Sequence, residues 1–438
     1  MFDTSSARPS SEGTSAREVA GWIEDLRHLE RKLSDPGRID LLRLLEELKS
    51  AAAAAQAVTS VDFDASQRAE QADAGVPAAE LGRGVGAQVA LARRDSAHRG
   101  GRHLGLAVAL VREMPFTLAA LTYGRISEWR ATLLVRETAC LSREDRAQVD
   151  VEMCADLERV ASYGDRQLVA EARRLAYRLD AESVVRRARR ATSDRRVTVR
   201  PAPDTMSYLT GLLPVAQGVA VYAALKGVAD SLTATGDGRT RGQIMADTLV
   251  ERVTGQASPE QVPVMVHLVM TDDALLGADD EPAHLGGHGV IPAGIARDLV
   301  GNAQRTWIRR LFSSPETGEL VAMDSRARIF PAALARLLRL RDQVCRTPWC
   351  EASIRHHDHV VAHQFGGPTS SSNGQALCEA CNHTKQALGW RARPRPGPVH
   401  TVETTTPTGH TYLSIPPELP GQTRRWVPAE QPGVWTAA

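Results

Sequence analysis

Four of the six cysteines in this chain fall between Cys345 and Cys381. Cys345 and Cys350 are separated by four residues, Cys378 and Cys381 by two, and 27 residues lie between the pairs. Two thiolate pairs bracketing a loop form the pattern of a closed tetrahedral zinc site, with no position left for water. Such a clamp contributes folding energy where a short segment cannot bury enough apolar surface. The opening MFDTSSARPSSEGTSARE lacks the apolar centre of a secretory signal, so a reducing, cytoplasmic location is expected. There clustered cysteines read as metal ligands rather than disulfides. Cys140 and Cys154 lie in apolar helical surroundings and read as small core residues.

A chain of 438 residues is long enough for two or three domains of roughly 100–200 residues each. Aromatics are only 4%, so the core is built from Ala, Leu and Val. No stretch reaches the roughly 18–20 apolar residues a membrane span needs. Residues 1–16 lack apolar periodicity and are expected to be disordered. From 17 to 33, Val19, Trp22, Ile23, Leu26, Leu29 and Leu33 mark one helix face, which Asp35-Pro36-Gly37 is expected to stop. Asp40 then caps a second helix carrying Leu41, Leu42, Leu44, Leu45 and Leu48. Further helical patterns fall at 86–95, 104–121, 126–138, 142–160, 165–191 and 241–253. Ser142 with Asp145 resembles a capping box.

Val197–Arg200, Met206–Leu212 and Val262–Thr271 read as strands, and 234–240 and 277–290 as loops. Residues 17–330 are therefore expected to form a mostly α domain with a small β component. A short helix (332–341) leads into a small domain at 331–395. Residues 396–438 are expected to hold a hairpin, Val402–Thr406 against Thr411–Ile415 around Pro407-Thr408-Gly409, and a Pro-rich tail.

Between the cysteine pairs, Asp358 and His359 lie on a short apolar strand, Gly366-Gly367-Pro368 makes a turn, and Asn373 precedes a second strand. Cys378 opens a helix containing Cys381, Asn382 and Lys385. The run DHVVAHQFGGPTSSSNGQALCEACNHTK resembles the four-Cys branch of the HNH endonucleases, which have the ββα-metal fold. GLLPVAQGVAVYAAL (211–225), RGQIMADTLVERVTG (241–255), RDQVCRTPWC (341–350) and TPTGHTY (406–412) are similar to an actinobacterial family. That family joins a helical domain of unknown function to a C-terminal HNH nuclease, and the resemblance covers roughly residues 80–425. One departure is Ala362, where the family commonly has Pro.

The resemblance implies a metal-dependent endonuclease acting on DNA. A neutral His is the natural base near pH 7, so His359 is assigned as general base. By resemblance, Asp358 and Asn382 would hold one Mg²⁺ or Mn²⁺, with His383 the rival of Asn382. Carboxylate and amide oxygens are the hard ligands such an ion takes. Asn373 would brace the loop and orient the base. Cys345, Cys350, Cys378 and Cys381 would hold structural Zn²⁺. Lys385, Arg391 and Arg393 would contact phosphates, with Arg395 in the same run. The competing reading is a zinc-containing DNA-binding or mobile-element-associated protein that does not cut. His356, His357 and His363 are given no role.

Residues 184–200 hold seven Arg and one acid, Asp194. They read either as a phosphate-contacting patch or as a solvated helix end with arginines paired to neighbouring acids. The formal net charge of +1 decides nothing, because local patches contact phosphates. No Walker-type loop or dinucleotide fingerprint is present. The expected partner is DNA, without a membrane, and self-association through the helical domain is left open.

Overall fold

The computed structural model describes residues 14–256, 267–302, 329–421, 426–428 and 435–437. The expectations for residues 1–13, for 262–266 of the third strand, for 303–328 of the mostly α domain and for 422–425, 429–434 and 438 of the Pro-rich tail lie outside the described residues.

Helix α1 (Ala16–Arg27) starts at Ser15, whose hydroxyl accepts from Glu18 N while Glu18 returns a bond to the Ser15 N–H. Its apolar stripe is present, but none of its residues is buried. It ends at Arg27 rather than Leu33, and Asp35-Pro36-Gly37 opens α2 (Asp35–Asp73) instead of stopping α1. Ser34, not Asp40, is the cap, accepting from Gly37 N. Pro36 sits in the first turn, where its missing N–H forfeits no helical bond.

The elements α3 (Val85–Ala92), α4 (Ala97–Glu113), α5 (Pro115–Thr122), α6 (Glu128–Thr138), α7 (Arg143–Cys154), α8 (Leu157–Ser162), α9 (Asp165–Leu179) and α10 (Ala181–Ala191) follow. Helices α2 and α4–α9 enclose a core that includes Leu110, Met114, Leu121, Leu134, Val149 and Leu168, with Cys154 fully buried and Cys140 only half-buried. Three expected helices are each broken in two, at Met114, at Ala155-Asp156 and at Asp180. Asp156 and Asp180 cap α8 and α10 from mid-pattern. Ser142 caps α7, accepting from Asp145 N. Among the described residues no single helix is long and apolar enough to cross a membrane.

Strands β1 (Arg196–Pro201) and β2 (Ser207–Leu212) pair antiparallel. Helix α11 (Val215–Ala234), which the sequence pattern did not announce, packs on α12 (Arg241–Thr254). A small sheet follows: β3 (Leu268–Val269), α13 (Asp272–Leu276), β4 (Ala283–Leu285), β5 (Gly289–Ile291) and α14 (Ala293–Gly301). The expected loop at 277–290 thus contains β4 and the start of β5.

The C-terminal part comprises α15 (Ala332–Asp342), β6 (His356–His359), β7 (Gly374–Leu377), α16 (Glu379–Lys385), β8 (Arg391–Arg395), β9 (Thr401–Thr405), β10 (Thr411–Ser414), β11 (Trp426–Pro428) and β12 (Trp435–Ala437). The hairpin β9–β10 is present around Gly409, and β8 adds to it through Arg393↔Glu403. One sheet therefore runs across the boundary expected at 395. The chain is mostly α, with a large helical N-terminal region and a small C-terminal region of short sheets and clustered cysteines. The two regions touch directly: Arg83 donates to the His383 carbonyl at 3.2 Å and Thr408 to Gln88 Oε1 at 3.1 Å.

Candidate functional site

The four sulfurs of Cys345, Cys350, Cys378 and Cys381 lie within 4.8 Å of one another. Cys350 Sγ is 3.7 Å from Cys378 Sγ and 3.6 Å from Cys381 Sγ. A tetrahedral Zn–S site with bonds near 2.3 Å separates its sulfurs by about 3.8 Å. The spacing fits a metal and is far too long for a disulfide. Cys378 caps α16, so the Cys381 N–H donates to its sulfur at 3.4 Å. Hydrogen bonds from Cys345, Cys350 and Cys381 hold the Cys378 thiol far below the ordinary range, and those from Cys350 and Cys381 bring Cys345 down to about 7. Cys350 and Cys381 are pushed the other way, chiefly by their bonds to Cys345. Apolar packing at this corner is small: among the described residues Leu377 is the one other buried apolar residue in its cluster, with Ala97 and Ala352 packed against it.

The cysteine clamp fixes both ends of β6–loop–β7–α16. Strand β6 runs antiparallel to β7 with Asp358↔Gln375 and His359↔Gly374. Alternation along β6 sends Asp358 and His359 to opposite faces. His359 is buried: its Nε2 lies 2.8 Å from Thr369 Oγ1 and its ring 4.6 Å from that of Phe330. Asp358 pairs with the ammonium of Lys385, which also donates to the His359 carbonyl. Lys385 is thus turned inward rather than toward solvent.

Asn373 is buried and saturates the loop. Its Oδ1 accepts from Val361 N at 2.9 Å, and its Nδ2 donates to Val361 O at 3.0 Å and Pro368 O at 2.8 Å. Only glycine fits at 367, because a Cβ there would meet Val361 O at 1.8 Å. Asn382 turns its Oδ1 into a buried position with no hydrogen-bond partner among the described residues, while its rival His383 is exposed. Arg393 and Arg395 both pair with Glu403, and Arg391 is exposed.

Sequence reasoning missed Thr369, which bonds His359, and Phe330, which packs on its ring; the His363 ring also lies 5.6 Å from it. It also missed the polar anchor behind the site. Asp342 is fully buried, bonded to Arg341 and Arg346 and accepting from Ala376 N at 2.8 Å. Burial opposes its charge, yet the two guanidinium groups keep its carboxyl below the usual range. Arg346 reaches on to Ser414 and His400. Thus α15, β7 and the β8–β10 sheet share one charged knot.

A model of the domain of unknown function DUF222 matches residues 42–342. The chain belongs to the DUF222 family. The DUF222 region ends at Asp342, the last residue of α15, so the cysteine cluster, Asp358, His359 and Asn382 all lie beyond it. Over 181 residues the chain is 30% identical to the uncharacterized protein Rv3776 of Mycobacterium tuberculosis, covering 35% of this chain and 32% of that protein. It is 34% identical over 135 residues to the uncharacterized protein Rv2100 of the same organism, covering 30% of this chain and 22% of the relative. The matched stretches therefore span about a third or less of those relatives. No solved structure matches.

Proposed function

We propose that this DUF222 chain is a metal-dependent endonuclease of the HNH type that hydrolyses DNA phosphodiester bonds. The observation that carries the reading is the donor set at the β6–α16 junction. A half-buried carboxylate, Asp358, has only an internal ammonium against it among the described residues, and a buried amide oxygen, Asn382 Oδ1, has no bond there. An unsatisfied buried oxygen carries a cost that a ligand removes. Both are hard oxygen donors, and they fit Mg²⁺ or Mn²⁺. The inward Asn382 favours this residue over the exposed His383 as the second ligand. A divalent ion bound there would neutralise charge developing on the phosphoryl oxygens and the departing oxygen.

His359 takes the proton of the attacking water, with Thr369 Oγ1 beside its Nε2 to fix the ring. Asn373 holds the 360–373 loop so that the base cannot drift. In-line attack with departure of the 3′ oxygen leaves 5′-phosphate ends. The cysteine cluster, filled by Zn²⁺, clamps the strand and helix that carry these groups.

One observation favours a second reading. His359 is 7% exposed and its Nε2 is already engaged, which suits a zinc-containing module that binds DNA or serves a mobile element without cutting. Nicking of supercoiled plasmid separates the two. The nuclease reading expects nicking with Mg²⁺ or Mn²⁺, none with EDTA, and a loss of at least about a hundredfold in His359→Ala. Equal, negligible nicking by wild type and variant across those metals sinks it.

A further inference from the structure

We propose that α10 and the β1–β2 ribbon of the DUF222 region form an arm that grips the sugar-phosphate backbone of DNA. The choice of DNA over another polyanion rests on the nuclease reading, and the arm itself rests on how its charges are left unneutralised. On the preceding helix α9 three of the four arginines have a carboxylate within 3 Å, Arg173 with Glu137, Arg174 with Glu171 and Arg178 with Glu152, and Arg166 in the first turn has none among the described residues. The pattern stops at α10. Arg186 reaches Glu182 only at 3.4 Å, and Arg187 donates to the Glu137 carbonyl, pinning the helix to its neighbour. Arg189, Arg190, Arg195, Arg196 and Arg200 meet no carboxylate among the described residues, and all five are exposed. Asp194 does not offset them: it is the main-chain carbonyl of Asp194 that accepts from Arg196.

Geometry gathers these charges onto two faces. Arg186, Arg189 and Arg190 stand three and four residues apart, on one side of α10. On the ribbon, directly opposed residues share a face. Arg196, Thr198 and Arg200 therefore line up with Leu212, Thr210 and Tyr208, while Val197, Val199 and Leu209 point the other way. The Arg200 guanidinium lies 4.2 Å over the Tyr208 ring, which holds its plane in one orientation. Guanidinium forks with hydroxyls between them are the groups that bind phosphate oxygens and fix register on a duplex without reading sequence. All of them are already in water, so binding carries little desolvation cost.

The test uses the full chain with EDTA present, so that nothing is cut, and a short fluorescein-labelled duplex titrated between about 50 and 200 mM salt. Three proteins are compared: wild type, a variant with Arg189, Arg190, Arg195, Arg196 and Arg200 all changed to Ser, and one with the same five changed to Lys. Wild type should bind with an affinity that falls steeply with salt. The Ser variant should lose at least about tenfold, and its slope of log K against log salt should be shallower by about 0.9 for each phosphate contact removed. The Lys variant should keep most of the slope, which a mere folding defect in the Ser variant would not reproduce. Equal affinity and slope in wild type and Ser variant overturn the arm, as does wild-type binding to phosphatidylserine vesicles but not to DNA. Plasmid nicking is scored separately. An arm that fails in an enzyme that nicks leaves the nuclease reading standing, and an arm that binds in a chain that never nicks leaves the arm standing alone.

Discussion

Lys385 sets its ammonium on the carboxylate of Asp358 and on the main-chain carbonyl of His359, one turn of α16 beyond the inward amide of Asn382. A cation built into the chain occupies the place where a divalent ion is proposed to bind, and like charges a few ångströms apart repel by about 1–4 kcal/mol. Lys385→Met should therefore bind Mn²⁺ at least several-fold more tightly than wild type, read by calorimetry or by the Mn²⁺ spin-resonance signal. Asp358→Asn should lose that binding. Weaker Mn²⁺ binding in Lys385→Met would mean that the ammonium holds the carboxylate in place rather than competing for it.

The cysteine corner has a small apolar core of its own, so a metal held by the four sulfurs is expected to order it. Metal analysis of the purified chain should find about one Zn per molecule. Cys378→Ser should lose it, because that sulfur is both a ligand and the cap of α16. Chelation of the wild type should open the 345–385 segment to protease while the α2–α9 core keeps its melting transition. A zinc-free chain with an equally resistant C-terminal region would contradict this.

How much of this was visible in the sequence depends on how local each cause is. The cysteine spacing, the strand–loop–strand–helix order and the Asn373 position are written in consecutive residues. So are the helix-forming stripes, although their breaks at Asp156 and Asp180 were not seen. A capping aspartate inside a periodic pattern looks like one more polar residue on the outer face. Asp35-Pro36-Gly37 reads as a stop in the sequence alone, because the first-turn role of proline depends on the cap Ser34 two residues earlier. Pairings set by register across the chain were invisible. Arg393 looked free until β8 placed it opposite Glu403, and Lys385 looked like a surface cation until α16 folded against β6. Thr369 and Phe330 carry no motif, and only the fold brings them to His359.

The Asp342 knot gives a prediction about stability. Its carboxylate is fully buried between Arg341 and Arg346, both also buried. Asp342→Asn leaves two guanidinium groups without their counter-charge in a dry site, which costs about 3–5 kcal/mol when one partner of a buried pair is removed. Urea unfolding followed at the C-terminal region should shift by that amount. A change under about 1 kcal/mol would mean that water reaches the arginines and replaces the lost charge.

His400 makes the same region sensitive to acid. Its Nδ1 faces Arg346 at 3.3 Å and its Nε2 faces Ser372 O at 3.0 Å. Nε2 therefore carries the hydrogen and donates, and Nδ1 accepts from the guanidinium, which is the neutral tautomer. Burial, reinforced by the charges of Arg341 and Arg346, pushes its pKa down to about 3. In the unfolded chain it titrates near 6.5, so between about 3 and 6.5 the unfolded state holds a proton that the folded state refuses. Stability from this group is complete above about pH 6.5 and is lost as pH falls toward 3, by up to about 1.4 kcal/mol per unit. His400→Gln can still donate to Ser372 but does not titrate. The difference in unfolding free energy between wild type and variant should therefore shrink or reverse from about pH 7.5 to about pH 5. Zinc loss at low pH affects both proteins alike and drops out of the difference. A gap that stays constant across that range would show that His400 is not excluded from protonation in the folded chain.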